Sequence, residues 1–152
     1  MSPLKEKNKL KITVSIIGYL GLLPFIITTF GMYAFYEQYY SILHKSLLLY
    51  SSLIISFLAA IYWGIVLTVD NSEKSYSSLV FSVFPLILIY LINLFDFELS
   101  IIILFYLLLL NFIFLFENLK KKYTKIPVWY LKLRRNLNIL LSIMFVLIFF
   151  KL

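Results

Sequence analysis

The sequence predicts an all-α, polytopic membrane helix bundle: one membrane domain over residues 1–152 with five transmembrane helices, the N-terminus inside and the C-terminus outside. Three observations lead there. The chain is 62% hydrophobic and 14% charged, where a soluble domain is about half apolar and a quarter charged. A chain of 152 residues has no aqueous core large enough to hide that much apolar surface, so its solvent is lipid. The apolar residues also fall into runs of membrane-spanning length separated by short polar stretches. Finally, five helices starting inside would put residues 1–11, 70–75 and 117–136 on the inner side. Those segments hold twelve of the fourteen Lys and Arg, leaving Lys45 and Lys151 outside, the bias that the positive-inside rule describes.

The charge of +7 therefore reflects orientation and contact with anionic lipid headgroups rather than nucleic acid. With no cysteine, disulfides, iron–sulfur clusters and thiol chemistry are excluded. His44 is the only histidine, which excludes a haem held by two histidines of this chain and a histidine-cluster metal site. We expect no cofactor and no metal.

Residues 1–11 carry Lys5, Lys7, Lys9 and Lys11. The apolar run 12–36 follows, too long for the core of a signal peptide and without a small-residue cleavage pattern; it is the first helix. Pro24 cannot donate to the Leu20 carbonyl and its ring clashes there, so a kink is expected between Leu20 and Pro24. Tyr33, Tyr36, Tyr39 and Tyr40 form an aromatic belt at its far end. A link over 37–45 leads to a second helix over 46–69, and a polar turn begins at Asp70. The third helix, 76–95, contains Pro85. The tight turn 96–98 makes it an antiparallel hairpin with the fourth, 99–116, whose length is about 27 Å at ~1.5 Å per residue. A long basic segment occupies 117–136. Pro127 suits a first helical turn and opens the fifth helix, 127–150. Its uncharged part, 136–150, covers only about 22 Å of a ~30 Å hydrocarbon core. Either the bilayer thins locally or Arg134 and Arg135 snorkel.

The second helix is the expected central post. Ser52, Ser56, Ala60 and Gly64 recur every four residues, a face bare enough for close helix approach in lipid. Trp63 caps this seam. The reading competing with a packing face is a cavity lined by Ser52, Ser56 and Tyr62. No Asp, Glu, Lys or Arg falls within the first four helices as bounded here. That argues against an ion-coupled transporter and removes the acid–base pair of most hydrolases. Asn93 and Asn111 are expected to hydrogen-bond between helices, and His44 to sit at the interface. Pro24 and Pro85 shape the bundle as kinks. Lys132, Arg134 and Arg135 contact lipid headgroups or an acidic partner, and Arg134 or Arg135 is expected to pair with Glu117 or Asp70.

Three pieces occur in order: Gly18-Tyr-Leu-Gly-Leu-Leu-Pro-Phe25, Ser56-Phe-Leu-Ala-Ala-Ile-Tyr-Trp-Gly64 and Pro127-Val-Trp-Tyr-Leu-Lys-Leu-Arg134. Together they resemble the small membrane family of domain of unknown function 3429, which includes transmembrane protein 69. The resemblance covers nearly the whole chain and implies a bacterial cytoplasmic (inner) membrane protein, with the mitochondrial inner membrane as the alternative. It implies Gly-Gly where Ala59-Ala60 stand and a basic residue where Tyr62 stands; the chain departs at both. No activity comes with it. The expected function is a non-catalytic accessory, assembly or scaffold component of an energy-transducing membrane, with the bilayer and other membrane proteins as partners. The alternative is a small transporter or channel for a neutral or lipid-like solute. A water-accessible pocket at Ser52, Ser56 and Tyr62 would favour the transporter, and a dry seam under Trp63 the accessory role.

Overall fold

A computed structural model describes residues 3–68, 72–124 and 126–152. Every regular element among the described residues is a helix: α1 (Pro3–Leu20), α2 (Leu23–Ala34), α3 (Tyr36–Thr68), α4 (Ser72–Leu94), α5 (Leu99–Thr124) and α6 (Val128–Lys151). Five stretches are long and apolar enough to cross a bilayer: Asn8–Ala34, Tyr36–Leu67, Tyr76–Leu94, Leu99–Lys120 and Val128–Lys151.

The expected kink at Pro24 is a full break between α1 and α2. Gly21 N–H still reaches the Ile17 carbonyl at 3.0 Å, and Leu22 N–H donates three residues back to Tyr19 at 3.0 Å, tightening the end of α1. Pro24 then sits in the first turn of α2, where a missing N–H costs nothing. Tyr50 in α3 donates its hydroxyl to the Gly21 carbonyl at 2.9 Å, pinning the break to the central helix. Pro85, by contrast, lies inside α4 without ending it.

The expected link 37–45 is itself helical. No Gly or Pro interrupts it, so α3 starts at Tyr36 and runs for 33 residues, bent at Tyr39 (φ −123°, ψ 24°). α5 likewise overruns its expected end at Phe116 and continues to Thr124. Its extension, Glu-Asn-Leu-Lys-Lys-Lys-Tyr-Thr, holds mostly good helix formers. At 26 residues it is about 39 Å long, longer than a ~30 Å hydrocarbon core. Asp70 lies outside the described residues.

α3 packs against α2, α4 and α5, and α6 packs against α5, α2 and α1. α4 lies close along α3 and meets α5 chiefly through large side chains. Phe81 of α4 stacks on Phe116 of α5 at 3.5 Å between ring centroids, with Tyr62 of α3 set edge-on to both. The core is built around α3 and α5, from Leu47, Ile55, Tyr62, Ile103, Tyr106 and Leu110, with Phe25 and Phe145 from α2 and α6.

The face that α3 buries is one residue off the expected ladder. Ser51, Ile55, Ala59 and Tyr62 are buried; Ser52 and Ser56 are half-buried; Ala60, Trp63 and Gly64 face outward. A Cβ added at Gly64 would meet nothing within 4 Å, and Trp63 is 50% exposed. Among the described residues, Ala60, Trp63 and Gly64 thus lie on the outward side of α3 and not in the core of the bundle. The core takes up the large Tyr62 side chain, which buries far more apolar area than a glycine stripe could.

Polar side chains tie the helices across the core. The Tyr106 hydroxyl lies 2.7 Å from Ser52 Oγ and accepts from Asn93 Nδ2 at 2.6 Å, joining α3, α4 and α5. Asn138 Nδ2 donates to Asn111 Oδ1 at 2.9 Å, and Asn111 Nδ2 to Ser142 Oγ at 3.1 Å, joining α5 and α6. Both Asn93 and Asn111 thus make the interhelical bonds expected of them. Such bonds contribute about 0.6–2 kcal/mol each in a membrane.

Candidate functional site

The extension of α5 decides where the chemistry lies. Ile103, Tyr106, Leu110, Ile113 and Glu117 recur at alternating spacings of three and four, which places them on one helix face, and all five are fully buried. Glu117 is thus the last member of a core stripe, not the first residue of a polar loop. On α6 the same spacing carries Arg134, Asn138, Leu141, Phe145 and Ile148, also buried. Where the two stripes meet, Arg134 Nε lies 3.0 Å from Glu117 Oε2, with side-chain exposures of 3% and 0%.

This corrects two sequence expectations. An acid does lie within a membrane-spanning helix: Glu117 falls inside the apolar stretch Leu99–Lys120 of α5 and not at its boundary. Arg134 does not reach for headgroups either; it turns into the bundle and pairs with Glu117, one of the two acids expected for it. Lys132 and Arg135 remain exposed and line a shallow groove of about 250 Å³ with Phe114, Asn118, Val128 and Leu131. Lys120, one turn on from Phe116, donates to Ser77 Oγ at 3.0 Å and sits 5.6 Å from the Phe116 ring centroid.

The ion pair is close but not well directed. Among the described residues, Arg134 Nε and Nη2 and both Glu117 oxygens lack an aligned hydrogen-bond partner, as does the buried Tyr62 hydroxyl. Both side chains are almost wholly removed from water, which strengthens the attraction and equally raises the cost of leaving either charge alone.

On the other side of Arg134 a cavity of about 540 Å³ opens between α1, α3 and α6. Its walls are apolar, among them Val14, Ile17, Ile54, Leu58 and Leu137, and Arg134 and Tyr130 line it where α6 begins. Gly18 and Gly21 put bare backbone on the α1 wall; a Cβ at Gly18 would come within 3.1 Å of Leu137 Cδ1. The competing reading, a cavity lined by Ser52, Ser56 and Tyr62, finds no opening among the described residues: Ser52 is bonded to Leu48 O and Tyr106, and Tyr62 is fully buried. Nor does Trp63 cap a seam. His44 packs in the tyrosine belt, 3.8 Å between ring centroids from Tyr40 and with Nε2 3.5 Å from the Tyr36 hydroxyl. Among the described residues no three His, Cys, Asp or Glu side chains gather as metal ligands.

Tyr130 and Asn138 escaped the sequence reading. The signal that could have found Asn138 is its place four residues after Arg134 and three before Leu141, on the buried stripe of α6.

Five long apolar helices with interhelical polar ties define a multi-pass, all-α integral membrane protein. The chain belongs to the family described as protein of unknown function (DUF3429), whose profile matches residues 10–150. Neither the curated proteins nor the solved structures searched gave a match.

Proposed function

We propose that the protein is a non-catalytic accessory, assembly or scaffold component of an energy-transducing membrane, with the N-terminus inside and the C-terminus outside. One observation carries the reading. Among the described residues, Glu117 and Arg134 are the only fully buried charged side chains, and they face each other at 3.0 Å across α5 and α6. Charges along an ion pathway face a wet passage; these two face each other between neighbouring helices, with side-chain exposures of 3% and 0%. The orientation rests on the concentration of Lys and Arg in segments 1–11 and 117–136.

The test is purification from native membranes in a mild detergent at the natural level of expression. A stable, stoichiometric complex with other membrane proteins is expected. Recovery alone or as a homo-oligomer would overturn the accessory role. For the orientation, a periplasm-active reporter fused after Leu152 should be active and one fused after Lys122 silent; the reverse pattern would invert the topology.

A second reading, a transporter for a lipid-like solute, is favoured by the apolar cavity between α1, α3 and α6. Facilitated movement of such a solute across vesicles containing only this protein would replace the accessory reading with it.

A further inference from the structure

We propose that the cavity between α1, α3 and α6 is a binding site for an acyl chain ending in an oxyanion, a carboxylate or a phosphate, whose head is held by Arg134. This goes beyond the accessory role and does not depend on it. The argument begins with volume. At about 540 Å³ the cavity falls within the ~300–1,000 Å³ of ordinary small-molecule sites. It runs along α6 from Arg134 to Leu141, seven residues or about 10 Å. Ile17 and Phe57 on its rim are 63% and 64% exposed, so it is entered sideways, from the bilayer.

Its wall selects the tail. Val14, Ile54, Leu58, Leu137 and Leu141 present no hydrogen-bonding side chain, and Gly18 lets the α1 backbone close against Leu137 at the edge of the cavity. A compact polar solute would lose its hydration there without compensation; a hydrocarbon chain loses nothing.

The end of the cavity selects the head. Arg134 lines it and is 2% exposed, and among the described residues its Nη2 has no hydrogen-bond partner. The Glu117 contact at 3.0 Å is made to Nε. A guanidinium presents five N–H donors in a planar fork, and a carboxylate or phosphate oxygen matches that fork far better than an ester carbonyl does. Tyr130, one turn earlier on α6, lines the same end. Depth agrees with this polarity. Arg134 is six residues past Val128, the first of α6, about 9 Å along the helix. An oxyanion would thus sit near the bilayer edge with its tail toward the midplane.

The test uses the full-length protein in phosphatidylcholine nanodiscs. The probes are palmitic acid carrying a mid-chain diazirine, its methyl ester, and phosphatidylglycerol bearing the same chain. After photolysis, adducts are mapped by mass spectrometry. Adducts of at least one acidic probe should concentrate on Val14, Ile17, Leu58 and Leu137. The methyl ester should label them about tenfold less, the effect of losing a hydrogen bond to a charged group. The double variant E117Q/R134Q, which removes both charges together, should erase that difference. Ile17→Trp, at an exposed rim position, should block labelling without touching the ion pair, and it keeps the test decisive if the double variant fails to fold. Labelling by the fatty acid alone identifies a free carboxylate; labelling by phosphatidylglycerol alone identifies a lipid headgroup. Equal labelling by acid and ester, adducts spread over outward residues such as Leu49 and Leu108, or labelling unchanged by Ile17→Trp would each overturn the proposal.

Discussion

Replacing Arg134 by Met removes one half of the buried ion pair while keeping a long apolar side chain in place. At 3.0 Å two unit charges attract by about 5–6 kcal/mol with an effective dielectric of 20. Desolvation of both groups offsets much of this, so the net worth of the pair is far smaller. The asymmetry is what matters. Glu117 is fully buried, and stranding it among Tyr62, Phe116 and Ile113 should cost about 3–5 kcal/mol. Adding Glu117→Leu removes the stranded charge. The double variant should therefore recover to within about 1 kcal/mol of the parent, or exceed it. The assay is reversible unfolding in mixed micelles, followed by circular dichroism, for the parent, both single variants and the double. A coupling energy near zero, with the two single losses simply adding, would refute the claim that these groups form a coupled pair and that the α5–α6 seam depends on it.

Three further outcomes follow from the packing. Tyr106→Phe should lower stability by about 1–2 kcal/mol, because it unties Ser52 from Asn93, two bonds at the modest strength found in membranes; the same unfolding assay reads it, and no change would mean the network is idle. Gly64→Leu should change stability of the isolated chain by less than about 0.5 kcal/mol, since a Cβ there meets nothing within 4 Å; a large loss would mean the α3 face is wrongly assigned. Asn138→Leu should cost about 1–2 kcal/mol by depriving Asn111 Oδ1 of its donor, while Asn136→Leu, at an exposed position, should cost nothing measurable.

The five crossings were legible because hydropathy over some twenty residues averages out local detail. What misled was the treatment of charge and size as markers of position. Glu117 reads as the end of a helix when polarity is taken as the boundary, even with Arg134 or Arg135 expected as its partner; that the pair lies inside the bundle appears only once α5 and α6 are packed. The stripe Ile103–Tyr106–Leu110–Ile113 pointed at Glu117 all along, and periodicity outranks polarity when a partner exists. On α3 the small residues advertised a contact face, yet the chain buries the neighbouring stripe with Tyr62. Sequence alone does not say whether a bare face meets its own bundle or the bilayer. The segment 37–45 is polar enough to resemble a link, but it holds no Gly or Pro, and the chain there kinks at Tyr39 instead of leaving the helix. The cavity was beyond reach for a different reason: it exists only as the gap left where α1, α3 and α6 approach with two glycines between them.

The small network at Tyr106 has a sense of direction. Asn93 Nδ2 faces the Ile89 carbonyl at 2.7 Å as well as the tyrosine oxygen, so it is the donor to both. Ser52 Oγ has given its proton to the Leu48 carbonyl at 2.7 Å. The Tyr106 proton is left with one destination, Ser52 Oγ, and each oxygen in the series accepts from one neighbour and donates to the next. Such a series polarises cooperatively, and it has no spare proton with which to reverse. An aspartate at position 93 would offer acceptors only and pull the tyrosine proton the other way, leaving Ser52 without a donor although every other heavy atom could stay in place. Three helices thus agree on their relative height through the orientation of a single O–H bond.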